Sequence, residues 1–154
     1  MGLLNSDLII YGRSIGTGFA IQLVEEIQKI TNESISCIIL FSPFLSIRKL
    51  AYDLLLYSMD EKGKESRLSR LCSSILCYSI RQRLDSENTI SKITCPIFII
   101  HGLRDAMIPY EHSKRLHELC NTESSLLLSN HMTHNDYDIH ADFIEPVGHF
   151  LSTN

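Results

Sequence analysis

The 154-residue chain is 44% apolar and 21% charged, with seven glycines and four prolines, which suits one domain with a sizeable core and excludes a disordered chain. A formal net charge of -4 excludes a general nucleic-acid footprint. Five irregularly spaced cysteines form neither a secretory disulfide framework nor a CxxC metal site, and read as reduced thiols, most of them buried. No apolar run approaches the roughly 18 residues of a membrane span, and no signal peptide is expected ahead of the first strand. Met1-Gly2-Leu3-Leu4-Asn5-Ser6 fits a myristoylation pattern, but only a few residues separate Gly2 from a predicted core strand. Asn32-Glu33-Ser34 would accept a glycan only in a secreted chain.

In chain order, Leu8–Tyr11 is a short apolar run ended by Gly12 and reads as a buried strand. From Ile15 the period becomes helical: Ala20, Leu23, Val24 and Ile27 share one face, and Gln22, Glu25, Glu26 and Lys29 take the other. Thr31-Asn32-Glu33-Ser34 closes that helix, and Cys37–Phe41 is a second buried strand ended by Ser42-Pro43. Leu45–Asp85 reads as two helices joined by the charged link 60–65. Between Arg67 and Arg83 four arginines and no acid alternate with Leu68, Leu71, Ile75, Leu76 and Ile80. That pattern fits an amphipathic helix over the sheet edge, a cap over a site, or a patch meeting a membrane surface.

Pro96–Ile100 is the next strand, with His101-Gly102 as a turn; Glu111–Cys120 is then a helix and Ser124–Leu128 a fourth strand. Asn130–Asn135 is a polar loop, and Asp136–Leu151 is mostly helical with a kink or break at Pro146. Strands alternating with helices predict an α/β layer with a mostly parallel sheet of about four strands flanked by helices. The connecting segments are long enough for the right-handed crossovers that parallel neighbours require.

The candidate chemistry centres on Gly12-Arg13-Ser14-Ile15-Gly16, where a strand ends just before the motif and a helix begins just after it. That is the setting of a nucleophile elbow, in which glycines on either side of the serine relieve clashes in a sharp turn. The first helix amides lie where a developing oxyanion would form. Ser14 as a plain helix cap is the competing reading. A phosphate loop is discarded, because Gly12, Gly16 and Gly18 give G-x-x-x-G-x-G and no Gly-Lys-Ser/Thr follows.

A neutral serine needs a base, and the base needs an orienting acid. Asp105 follows the third strand and His134 the fourth, both at C-terminal strand ends, and the chain order Ser, Asp, His is that of α/β-hydrolases. His131 and His149 are rivals for the base, and Asp105 could instead cap the turn before Pro109. A metal site from His131, His134, Asp136 and His140 fits no recognised spacing, so neither metal nor cofactor is expected.

The stretches "IIYGRSIGTG", "CIILFSPFLS", "ISKITCPIFIIHGLRDAMIPYEHSKRLHELC" and "THND" resemble the C-terminal part of the α/β-hydrolases that include the Bem46-like proteins and the ABHD17 protein depalmitoylases. The resemblance covers most of the chain apart from Tyr52–Ser86 and implies a partial α/β-hydrolase fold. It implies Ser14 as nucleophile, Asp105 as acid, His134 as base and the Ile15 amide as one oxyanion donor. It also implies hydrolysis of acyl esters or thioesters, including palmitoyl thioesters on membrane-associated proteins. The family has a glycine where this chain has Thr133, and the middle section is longer than expected, so residues 45–86 read as a helical cap or insertion in a single domain over 1–154.

Relatives carry further strands and an HG-type oxyanion loop before the elbow, for which the seven residues ahead of Leu8 leave no room. The N-terminal half of the usual sheet is therefore expected to be absent and the first strand to be an exposed apolar edge. The expected partners are an acyl ester or thioester substrate, such as a lipidated protein, and no nucleic acid. The expected location is cytoplasmic, with peripheral membrane contact. The competing expectation is a silent hydrolase fragment that self-associates through the open sheet edge or meets a membrane surface.

Overall fold

A computed structural model describes residues 7–60 and 84–153. Four strands, β1 (Ile9–Arg13), β2 (Cys37–Phe41), β3 (Ile97–Gly102) and β4 (Ser124–Ser129), form one sheet in the order β1-β2-β3-β4. Every neighbouring pair is parallel: Ile9 lies opposite Cys37, Ile38 opposite Ile97 and Ile97 opposite Ser124. All four C-terminal ends therefore open on the same edge of the sheet, as the alternating pattern requires. The connecting helices are α1 (Ile15–Thr31), α2 (Ile47–Asp60), the short α3 (Ser86–Thr89) and α4 (Glu111–Glu118), followed by a π-helical turn (Ile139–Ile144) and α5 (Glu145–Thr153).

The central strands are apolar except at His101 and Gly102, which end β3, and every residue of β2 and β3 is buried. On one face Ile38, Leu40, Ile97 and Ile99 pack with Ala20, Ile21 and Val24 of α1 and with Leu116 of α4. On the other, Phe41, Phe98, Ile100 and Met132 pack with Phe150, and the Phe98 and Phe150 rings stack 4.9 Å apart. These two layers position the site, because every catalytic candidate sits on a loop leaving this double-sided core.

Most predicted elements stand where the pattern puts them, and the departures have physical causes. The third strand extends through His101 and Gly102, which read as a turn in the sequence, because the His101 ring finds polar partners inside the fold. The kink or break expected at Pro146 is a change of winding instead: the π-helical turn passes directly into α5 at Glu145, and Pro146 is the second residue of α5. Leu23, assigned to the buried face of α1, is exposed with Ile15 and Phe19, while Ile21 is fully buried. These exposed residues recur every four positions, on the flank of α1 that no described element covers. β1 is an edge strand of the sheet, with β4 at the other edge, and Leu8, Ile9 and Tyr11 are exposed there. Within 45–86, α2 is one predicted helix; the second, with the arginine-rich stretch 67–83 apart from its neighbour Leu84, lies outside the described residues.

The glycines of the elbow divide in an unexpected way. A Cβ on Gly12 would lie 2.7 Å from the Gly16 carbonyl oxygen and 2.8 Å from Thr17 Cα, so the strand-to-helix approach demands glycine there. Gly16, expected to relieve the same crowding, faces open space. The close packing falls instead on Gly18, whose Cβ would meet Leu84 Cβ at 2.8 Å. Gly16→Ala is accordingly expected to raise stability by about 0.5–1 kcal/mol through better helix propensity, measurable as an upward shift in a thermal melt.

Candidate functional site

β1 delivers Ser14 to the C-terminal edge of the sheet in a backbone conformation with φ 52° and ψ -124°. The Ser14 amide donates to the Phe41 carbonyl at the end of β2, 2.9 Å away, which pins the turn to its neighbour. Its own carbonyl accepts from the Thr17 amide at 3.0 Å and from the Thr17 hydroxyl at 2.6 Å. The Ser14 hydroxyl makes no helix-capping bond, so the competing cap reading does not hold. It lies 3.1 Å from His134 Nε2 instead. The Ile15 amide that follows is among the first N–H groups of α1, which have no intrahelical acceptor.

His134 sits in the loop after β4 and is buried. Its Nδ1–H donates to Asp105 Oδ2 at 2.7 Å, leaving Nε2 as the acceptor that faces Ser14. Thr133 shapes the approach: its amide donates to the Asp136 carbonyl, and its hydroxyl accepts from the Asp136 amide, both at 3.0 Å. This closes the turn at the position where the resembled family has glycine.

Asp105 uses its two oxygens for different tasks. Oδ1 accepts from the amides of Met107 and Ile108, each at 2.9 Å, so the turn-capping reading holds for that oxygen. Oδ2 faces His134 at 2.7 Å and His101 Nε2 at 3.4 Å. Burial pushes this carboxyl up, but hydrogen bonds from His101, the Ile108 amide, His134 and the Met107 amide outweigh that and hold it well below the usual carboxylate range. The group opposite the His134 ring is therefore a carboxylate.

Sequence reasoning missed two supporting residues. His101 is fully buried: Nε2–H donates to the Ile108 carbonyl at 2.9 Å, and Nδ1 accepts from the Ser113 hydroxyl at 2.5 Å. A histidine ending an apolar strand was the available signal. Arg13 lies beside Ser14 in β1, and its Nη2 donates to the His134 carbonyl at 2.6 Å and to Asn135 Oδ1 at 3.3 Å. The two contacting residues lie more than a hundred positions apart, so no local pattern announces the contact.

The rival histidines go elsewhere. His131 is exposed, with Nε2 donating to Asp142 Oδ2 at 3.0 Å. Asp142 Oδ1 also accepts from the Ser129 hydroxyl at 3.1 Å, which secures the loop that carries His134. His149 is exposed on α5. Among the described residues, no group of three or more His, Cys, Asp or Glu side chains is arranged to hold a metal ion. Nor is any helix among them long and apolar enough to cross a membrane. A cleft of about 230 Å³ is lined by Asp53, Leu54, Leu103, Asp105, Ala106, Pro109, Tyr110 and Glu111.

The family described as serine hydrolase (FSH1) matches residues 8–135. Human alpha/beta hydrolase domain-containing protein 17B is 28% identical over 151 residues, covering 98% of this chain and 43% of that protein. The 17C protein of Xenopus tropicalis is 26% identical over 98% of this chain and 40% of its own length. The chain thus spans about two fifths of the length of these curated relatives. Among solved structures, Est1E from Butyrivibrio proteoclasticus aligns with a TM-score of 0.65 and 22% identity, covering 96% of this chain and 60% of its own. Acetyl xylan esterase 1 from a Thermoanaerobacterium species aligns at 0.64 and 16%, covering 96% of this chain and 45% of its own. These likenesses establish a partial α/β-hydrolase fold. With the family match over residues 8–135, they bear out the resemblance read from the motifs: the chain belongs to the serine hydrolase (FSH1) family and is similar to the ABHD17 proteins.

Proposed function

We propose that this chain hydrolyses acyl esters or thioesters through Ser14, His134 and Asp105, with protein depalmitoylation as the specific form. The observation that carries the reading is the continuous relay from Ser14 Oγ to His134 Nε2 at 3.1 Å and from His134 Nδ1 to Asp105 Oδ2 at 2.7 Å. In this reading Ser14 Oγ attacks the acyl carbonyl while His134 Nε2 takes its proton. Asp105 holds the Nδ1–H tautomer and stabilises the imidazolium that forms. The Ile15 N–H donates to the tetrahedral oxygen; a donor of this kind is worth about 3 kcal/mol in the transition state. His134 then returns the proton to the departing alcohol or thiol. It next deprotonates a water that attacks the acyl-Ser14 ester, which releases the acid and restores the serine. The chemistry calls for no cofactor.

The apolar part of the cleft, from Leu54, Leu103, Ala106 and Pro109, is the candidate seat for the acyl chain, since Asp105 of the relay lines the same cleft. A palmitoylated protein would be met at the cytoplasmic face of a membrane, through peripheral contact. The test is labelling by a fluorophosphonate probe, with Ser14→Ala alongside and circular dichroism on both. The expected result is labelling of the wild type and none of a folded Ser14→Ala. A folded wild type that fails to label overturns the proposal.

One observation favours a second reading, that of a silent domain acting through self-association. β1 is an edge strand, and Leu8, Ile9 and Tyr11 at this edge are exposed, as are Ile15, Phe19 and Leu23 of α1. Light scattering that finds a dimer in an unlabelled, folded sample supports this reading; a monomer that labels at Ser14 removes it.

A further inference from the structure

We infer that Arg13 is a positioning residue that sets the distance between the serine and the histidine, by clamping the His134 backbone to the strand that carries Ser14. The inference rests on the hydrolase reading above and assigns a task to the variable residue of the Gly-x-Ser motif. Arg13 ends β1 and Ser14 follows it directly, so anything Arg13 grips is held at a fixed offset from the serine. What it grips is the His134 carbonyl, at 2.6 Å, and Asn135 Oδ1, at 3.3 Å. A charge-assisted bond to the main chain of the base constrains the ring more directly than a contact to a neighbouring side chain would.

The arginine is itself fixed from the other side. Its guanidinium carbon lies 5.4 Å from the centroid of the Tyr137 ring and 5.9 Å from that of Phe41. Phe41 ends β2 and Tyr137 follows the His134 loop, and the two rings meet at 4.9 Å. One planar cation thus bridges β1, β2 and the base loop, a task for which lysine, with its point charge and flexible stem, is a poor substitute. Arg13 Nε is buried without a hydrogen-bond partner among the described residues.

Removing the clamp should leave substrate binding alone and slow the chemical step, because a displacement of about 1 Å in a reacting pair costs on the order of a hundredfold in rate. The experiment compares wild type, Arg13→Met, Arg13→Lys, Ser14→Ala and the remote control Lys29→Met, each checked by circular dichroism. The readouts are the fluorophosphonate labelling rate and separate kcat and KM values on a p-nitrophenyl acyl ester. The expected result is a tenfold to hundredfold loss of labelling rate and kcat in Arg13→Met at unchanged KM. Arg13→Lys should be intermediate and Lys29→Met unchanged.

Wild-type labelling and kcat in folded Arg13→Met overturn the clamp, as does a loss confined to KM. If Arg13→Met fails to fold, Arg13→Lys decides, since a wild-type kcat there shows that the fork geometry is irrelevant. Labelling that persists in Ser14→Ala would instead defeat the hydrolase reading, so the two failures are distinguishable.

Discussion

Asp105→Asn is expected to lower kcat on an acyl ester by about ten-thousandfold while leaving the chain folded. The asparagine oxygen can still accept from the Met107 and Ile108 amides, so the loop retains its two turn bonds. The amide nitrogen, however, then faces His134 Nδ1 and donates to it. That enforces the tautomer with hydrogen on Nε2, which cannot take the Ser14 proton. Steady-state kinetics beside Asp105→Ala, which also loses the turn bonds, separates tautomer control from loop collapse. The same substitution changes the pH dependence of stability. A carboxyl held below its ordinary value in the fold stabilises fully above about pH 4 to 5, where the unfolded chain is already ionised. That contribution is lost as pH falls through this range toward the lower folded value. Urea melts should therefore show wild type and Asp105→Asn furthest apart near neutrality and converging on acidification.

The largest expected loss of stability from a single added methyl is at Gly102. A Cβ there would lie 2.2 Å from the Met132 carbonyl oxygen and 2.6 Å from Met132 Cβ. Neither side can give way cheaply. Gly102 is paired in register with Ser129, the Met132 carbonyl accepts from the Arg104 amide at 3.1 Å, and the Met132 side chain is fully buried. Gly102→Ala should cost about 3 kcal/mol, at the upper end of what overpacking does. Because Met132 lies two residues before His134, fluorophosphonate labelling should fall even at temperatures where the variant remains folded. A melt indistinguishable from wild type would show that β3 and the base loop are not packed as tightly as these distances require.

Much of this was legible in local pattern. "CIILF" could only be a strand buried on both faces, and Asn32, in the left-handed conformation, ends α1 where the polar run suggested. Ser14, Asp105 and His134 were placed by a chemical requirement and by the strand ends, and those three meet. What escaped was set by partners distant in sequence. Gly18 must be small because of Leu84, and Gly102 because of Met132. His101 belongs to a strand because Ser113 and the Ile108 carbonyl satisfy its ring. Gly16 was misread for the converse reason, since a motif glycine was credited with a clash that only the three-dimensional surroundings could reveal. The exposed Leu23 has the same origin: helical period defines a stripe but not which stripe has a neighbour.

The backbone at Ser14 carries one more implication. A side chain held at φ 52° is strained by something on the order of 1–3 kcal/mol relative to an ordinary conformation. Glycine is the residue that would relax that turn, and glycine has no hydroxyl. Robustness and reactivity therefore pull on this single position in opposite directions. A library of variants sorted only for resistance to heat would drift away from serine at the elbow, and its hardiest survivors would be the ones least able to react.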